Sequence, residues 1–185
     1  MHGMIDLLFM TPEFSERRLL LPRPENTVRL QLTIGCVKPK EFEKSLSLKG
    51  IMVDYSAKDL LKNKKFPVLM HEKDFEMIIA DVAEMKIRSE NPTTREIYNK
   101  ANTYGWASLH ESAPVHAALK YKEHLIGKDV HFATEQIDSS LGHPHILAIK
   151  TFNKVPYLTG VPAHPDKRWG PKDKFAFAIR KLSMI

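Results

Sequence analysis

One cysteine, Cys36, stands in 185 residues. An intramolecular disulfide is therefore excluded, as is any multi-cysteine zinc or iron–sulfur centre. Long apolar runs are also missing. No stretch approaches the ~18 consecutive apolar residues of a membrane span, so no membrane partner is expected. The start, Met1-His2-Gly3-Met4-Ile5-Asp6, has neither a basic segment nor a long apolar one, and a secretory signal is not expected. A reducing, cytoplasmic setting follows as the expectation, with Cys36 a buried small hydrophobe in Thr33-Ile34-Gly35-Cys36-Val37. Internal repeats and low-complexity tracts are absent too. With 43% hydrophobic and 27% charged residues, disorder and fibrous folds are excluded.

The common catalytic signatures are missing as well. There is no G-x-x-x-x-G-K-[ST] phosphate loop and no G-x-G-x-x-G dinucleotide fingerprint. Neither a G-x-S-x-G elbow nor an H-E-x-x-H zinc helix occurs. One cysteine excludes the P-C-x-x-C of zinc deaminases. No cofactor is expected.

What is present reads as one α+β domain over 1–185, with a mixed or antiparallel sheet and two to four helices drawn mainly from the middle. Residues 5–10 form a short apolar strand candidate. Val28, Leu30, Leu32 and Ile34 alternate with Arg29, Gln31 and Thr33, which predicts a half-buried strand. A short helix can begin at Glu41, and Ile51–Val53 is a strand candidate. Ser56 is placed to cap a helix at 57–61. Phe75, Ile78, Ile79, Val82 and Met85 recur at helical spacing and predict an amphipathic helix over 73–88, with a strand through 78–87 as the competing reading. Helices are predicted over 94–104, after Asn91-Pro92-Thr93, and from Ser112-Ala113-Pro114 to about Ile126. Gly105 and Gly127 would end them. The last third reads as β: 129–135, 145–152, 155–161 and the alternating 175–180.

Charge is distributed unevenly. Residues 1–149 hold 20 basic and 20 acidic side chains, while 150–185 hold eight and two. The whole net charge of +6 thus lies in the basic C-terminal β region. Lys167-Arg168-Trp169-Gly170-Pro171-Lys172-Asp173-Lys174 mixes cations with an indole, flanked by Lys150, Lys154 and Arg180. Nucleic-acid surfaces combine cations for phosphates with aromatics for base stacking. The leading expectation is a nucleic-acid-binding protein, RNA or single strands favoured. Its contacts would be Lys150, Lys154, Lys167, Arg168, Trp169, Lys172, Lys174 and Arg180.

Nine histidines are the second feature. On one helix, His116, Lys120 and His124 would share a side, with His110 and Glu111 just upstream. Paired imidazoles can cleave a phosphodiester as base and acid, beside a lysine that stabilises the developing charge. His110, Glu111, His116 and His124 are therefore catalytic candidates for a histidine-dependent nuclease or phosphoesterase. His143-Pro144-His145 places two imidazoles two apart, and a hairpin would bring Glu135 near them as a metal site. His164-x-Asp166 imitates half of an iron triad, without a later histidine.

His164-Pro165-Asp166-Lys167 resembles the signature loop of J-domain co-chaperones. That family needs a long basic helix before the loop, where this chain holds Pro156, Gly160 and Pro162. The resemblance is therefore confined to about twenty residues and is carried no further. A third expectation is a module that binds or inhibits a protein partner without catalysis.

Overall fold

The computed structural model describes residues 24–35 and 37–180. The strand candidate at 5–10 and Cys36 lie outside them. The described chain forms strands β1 (Val28–Ile34), β2 (Met52–Val53), β3 (Lys73–Asp81), β4 (Trp106–Ala107), β5 (Val130–Phe132), β6 (Ile137–Asp138), β7 (Pro144–Phe152), β8 (Val155–Pro162) and β9 (Lys174–Ile179). Its helices are α1 (Pro39–Leu48), α2 (Tyr55–Leu61), α3 (Thr94–Thr103) and α4 (Ala113–Leu125). One sheet runs in the order β1-β3-β9-β5-β7-β8-β2, with β4 added on β9 and β6 on β7. The β5–β9 and β2–β8 pairs are parallel and the rest antiparallel, so the α+β fold carries a mixed sheet. No helix of the described residues is long and apolar enough to cross a membrane.

Both faces of the sheet's inner strands are covered. Leu32, Ile34, Met77, Ile79, Val130, Phe132, Leu147 and Ile149 form one core with Phe42 and Leu46 of α1, Leu60 of α2 and Val115 of α4. Ile78, Ala80, Phe175, Phe177 and Ile146 face the other way, against Ile97 and Ala101 of α3 and Trp169 of the 163–173 loop. β1 shows one buried face, as its alternation predicts.

The helix predicted over 73–88 is a strand followed by a single 3-10 turn at Ala83–Met85. The physical reason is position. β3 lies between β1 and β9, so Met77, Ile78, Ile79 and Ala80 are all buried, on alternating faces. A run buried on both sides loses its period of two, and its apolar residues then fall by chance at helical intervals. The competing strand reading over 78–87 had the right element but began five residues late and ran six residues past its end.

Helix ends follow their local chemistry. Thr93 caps α3 through a full capping box with Glu96, and Pro114 sits in the first turn of α4. The cap of α2 is Asp54, not Ser56: its carboxylate accepts from the Ala57 N–H at 2.8 Å. Ser56 instead seats α2 on β8. Its hydroxyl accepts from the Gly160 N–H at 2.7 Å and donates to the Gly160 carbonyl at 2.9 Å.

Candidate functional site

The C-terminal loop is not an open contact surface. It lies along α3, with the Thr94 N–H donating to the Lys167 carbonyl and the Trp169 N–H to that of Pro92. Trp169 is 4% exposed. Its indole N–H donates to Thr94 Oγ1 at 2.8 Å, and its ring lies 4.7 Å from His131 and 4.9 Å from Phe175. The expectation that Trp169 stacks on a base is thereby overturned, because the sheet face beneath needs a large apolar cover. Four of the cations already have partners within the fold. Lys167 lies over the Trp169 ring at 4.8 Å, and Lys174 is paired with Asp81 at 2.5 Å. Arg168 donates to the Asn91 carbonyl. Arg180 meets Asn102 at the far end of β9, about 20 Å of strand from Lys174. Lys154 and Lys172 are exposed and Lys150 is half-buried. Trp169 is thus withdrawn from any shared contact face, and Lys167, Arg168, Lys174 and Arg180 each already have a partner.

The metal expectation fails on register. Across the β6–β7 hairpin His145 lies opposite Ile137, and Glu135 falls two residues further along. His145 Nδ1 sits 2.7 Å from the His143 carbonyl. Among the described residues no three His, Cys, Asp or Glu side chains are placed to share a metal ion.

The third histidine group does converge, in part. β4 leads past the Leu109 N–H, which donates to the Ala133 carbonyl, into the head of α4. There the Ser112 N–H donates to His110 Nδ1 at 3.2 Å, which leaves Nδ1 an acceptor. Ser112 Oγ lies 2.9 Å from the same nitrogen, so its hydroxyl donates. The other nitrogen, Nε2, then carries the proton and faces Glu111 Oε2 at 3.8 Å. One turn on, His116 meets Phe42 edge-on at 5.9 Å. Burial pushes the His110 imidazole below its ordinary range, and Lys73 pushes further. Burial and then His110 lower His116 likewise. Burial raises the Glu111 carboxyl against its backbone hydrogen bond, with Glu135 adding repulsion. This is a neutral-imidazole, reluctant-carboxylate cluster suited to proton transfer.

His124 does not belong to it. Tyr121 leaves the helical region (φ −120, ψ 26), breaking the His116–Lys120–His124 stripe. The exposed His124 packs against Tyr121 instead, and Lys120 donates to the Gln31 carbonyl.

A feature that the sequence reading missed lies between α1 and α2. Phe42 and Leu46 turn inward from α1, and Ala57, Leu60 and Leu61 from α2. Helical geometry then sends Lys40, Glu43, Lys58 and Lys62 outward. With Lys38, Pro39 and Leu61 they line a cleft of about 560 Å³. Its lone carboxylate, Glu43, is paired with Lys58 at 2.6 Å. A second cleft of about 370 Å³ shares Glu43 and Lys58 and runs on past Ser47 and Gly50 to Ile51–Val53 at the sheet edge. A signal for this groove was present. Residues 38–65 hold eight lysines against four acids, a block hidden when 1–149 is summed to zero.

Comparison with models of known protein families, with curated proteins and with solved structures finds no match to this chain.

Proposed function

We propose that this protein binds a polyanion, nucleic acid by class, in the groove between α1 and α2. The observation that carries this reading is the lining of one cleft by Lys38, Lys40, Lys58 and Lys62 with a single, already paired carboxylate. Ammonium groups held close together raise the local phosphate concentration and release counterions when phosphates replace them. A cytoplasmic setting accompanies the reading, since lone Cys36 offers no disulfide for an oxidising compartment.

The test is a binding titration of a labelled oligonucleotide against salt. Each single-strand phosphate contact contributes about 0.7 to the slope of log K against log salt. Lys58 is already neutralised by Glu43, so K38A/K40A/K62A should flatten the slope by about 2. The loop variant K167A/R168A/K172A should change it less. Wild-type affinity and slope in the groove variant would overturn the reading.

One observation favours a second reading, a histidine-dependent phosphoesterase: His110, Glu111 and His116 share the head of α4. It requires cleavage of labelled RNA or DNA between pH 5 and 9, with or without divalent metal, that H110A and H116A abolish. Absence of cleavage throughout that range removes it.

A further inference from the structure

The groove has two unlike halves. One end is cationic, with Lys38, Lys40 and Lys62. The other ends on the apolar residues Ile51–Val53 at the sheet edge, where Met52 is 55% exposed. Tyr55, at the first position of α2 and two residues after Val53, lines neither cleft and is 84% exposed. Of the five tyrosines it alone is exposed: Tyr104 is buried, and Tyr98, Tyr121 and Tyr157 are half-buried. Both tryptophans are buried as well. Tyr55 precedes Lys58 by three residues and Lys62 by seven, so the three share one side of α2. An open aromatic ring is therefore available on the helix that also carries Lys58 and Lys62 of the cleft lining.

Pairing of cations with an open aromatic face has a specific consequence. A duplex offers its phosphates to lysines but keeps its bases stacked internally, so an external ring adds little. A single strand can turn a base outward onto that ring while its phosphates stay on the lysines. An anionic lipid headgroup would use the lysines too, but it has no base to stack. Resting on the groove reading above, we infer that the ligand is a single-stranded nucleic acid. Its phosphates lie on Lys38, Lys40 and Lys62, and one base stacks on Tyr55 toward Met52.

The stacking contribution and the electrostatic one respond to different variables. Stacking is set by the ring and is insensitive to salt; the lysines set the slope. Loss of a single stacked base weakens binding by about 5- to 150-fold.

The experiment is fluorescence anisotropy with a labelled ten-nucleotide oligothymidine, a ten-base-pair duplex and vesicles containing phosphatidylserine, each at three salt concentrations. The single strand should bind more tightly than the duplex. Y55A should lose about ten-fold or more for the single strand with an unchanged salt slope, and Y55F should retain wild-type affinity. An exposed side chain at a helix start can be removed without unfolding, and circular dichroism checks this. Equal affinity for strand and duplex, or Y55A binding as wild type, overturns the inference while leaving the groove intact. Binding of vesicles but not of the strand overturns it in favour of a lipid. If the strand binds but K38A/K40A/K62A leaves that binding unchanged, the groove reading itself falls.

Discussion

Gly160→Ala probes how the groove is held. Gly160 lies on β8, where α2 crosses it. A Cβ added there meets Leu60 Cδ1 at 2.9 Å, Ser56 Oγ at 3.0 Å and the Ser56 carbonyl at 3.2 Å. Leu60 is fully buried and the Ser56 carbonyl is backbone, so neither can simply swing away. The helix must lift by a few tenths of an ångström. Overpacking of this kind costs about 1–3 kcal/mol, partly offset by ~0.4–1 kcal/mol because alanine restricts the unfolded chain. The net loss of roughly 0.5–2 kcal/mol corresponds to a drop in Tm of about 1–8 °C for a chain of this size. Ser56→Ala removes the hydroxyl that serves both the Gly160 N–H and its carbonyl, and should lower stability by about 1–3 kcal/mol. It also removes one of the three crowding atoms. The double variant should therefore lose less than the two single losses added together, a coupling readable from thermal or urea melts. A Tm for Gly160→Ala at or above wild type, or strict additivity in the double variant, would refute this account of how α2 is seated.

Other predictions are more local. Thr93→Ala deletes the capping box of α3 and should cost about 1 kcal/mol, or 2–4 °C in Tm, with Thr93→Ser close to wild type. Because Trp106 and Trp169 are both buried, binding of an oligonucleotide should leave tryptophan emission unquenched; strong quenching would return Trp169 to the contact surface. Glu111 has a raised pKa in the fold, so its contribution favours the fold below about pH 4.5 and is lost as pH rises through the raised value. Glu111→Gln should then stabilise relative to wild type at pH 7, and the gain should vanish on acidification in urea melts. His110 and His116 are depressed, so the unfolded chain takes up protons first as pH falls below about 6.5. Their share of stability is complete above that pH and shrinks as pH falls from 6.5 toward their folded values; the H110Q/H116Q variant should flatten that part of the stability profile.

Much of the fold was legible because local chemistry and tertiary demand agreed. β1 alternates since one of its faces is open, and α3 carries its own cap in Thr93 and Glu96. β3 was illegible for the opposite reason. A strand buried on both faces has no polar side to mark its period, and its Met77–Ala80 run fits either template. Trp169 was misread because a tryptophan amid lysines and prolines looks the same in sequence whether its ring covers a sheet or faces solvent. The deciding partner, Thr94 Oγ1, lies 75 residues away.

The surroundings of the C-terminal cations were illegible for a deeper reason, and it bears on where a binding surface can form. Summing charge over long blocks assumes that neighbours in sequence are neighbours in space. The fold breaks that assumption in both directions. It spends Lys174 on Asp81, 93 residues distant, and lays Lys167 over an indole, so cations in the richest block are drawn into structural roles. It also sets Lys38 and Lys40 across a cleft from Lys62, more than twenty residues on, with Glu43 already taken by Lys58. Loops that cross a sheet must satisfy their polar groups against it. Outward faces of two helices flanking a cleft carry no such demand, and Lys40 and Lys62 there stay exposed.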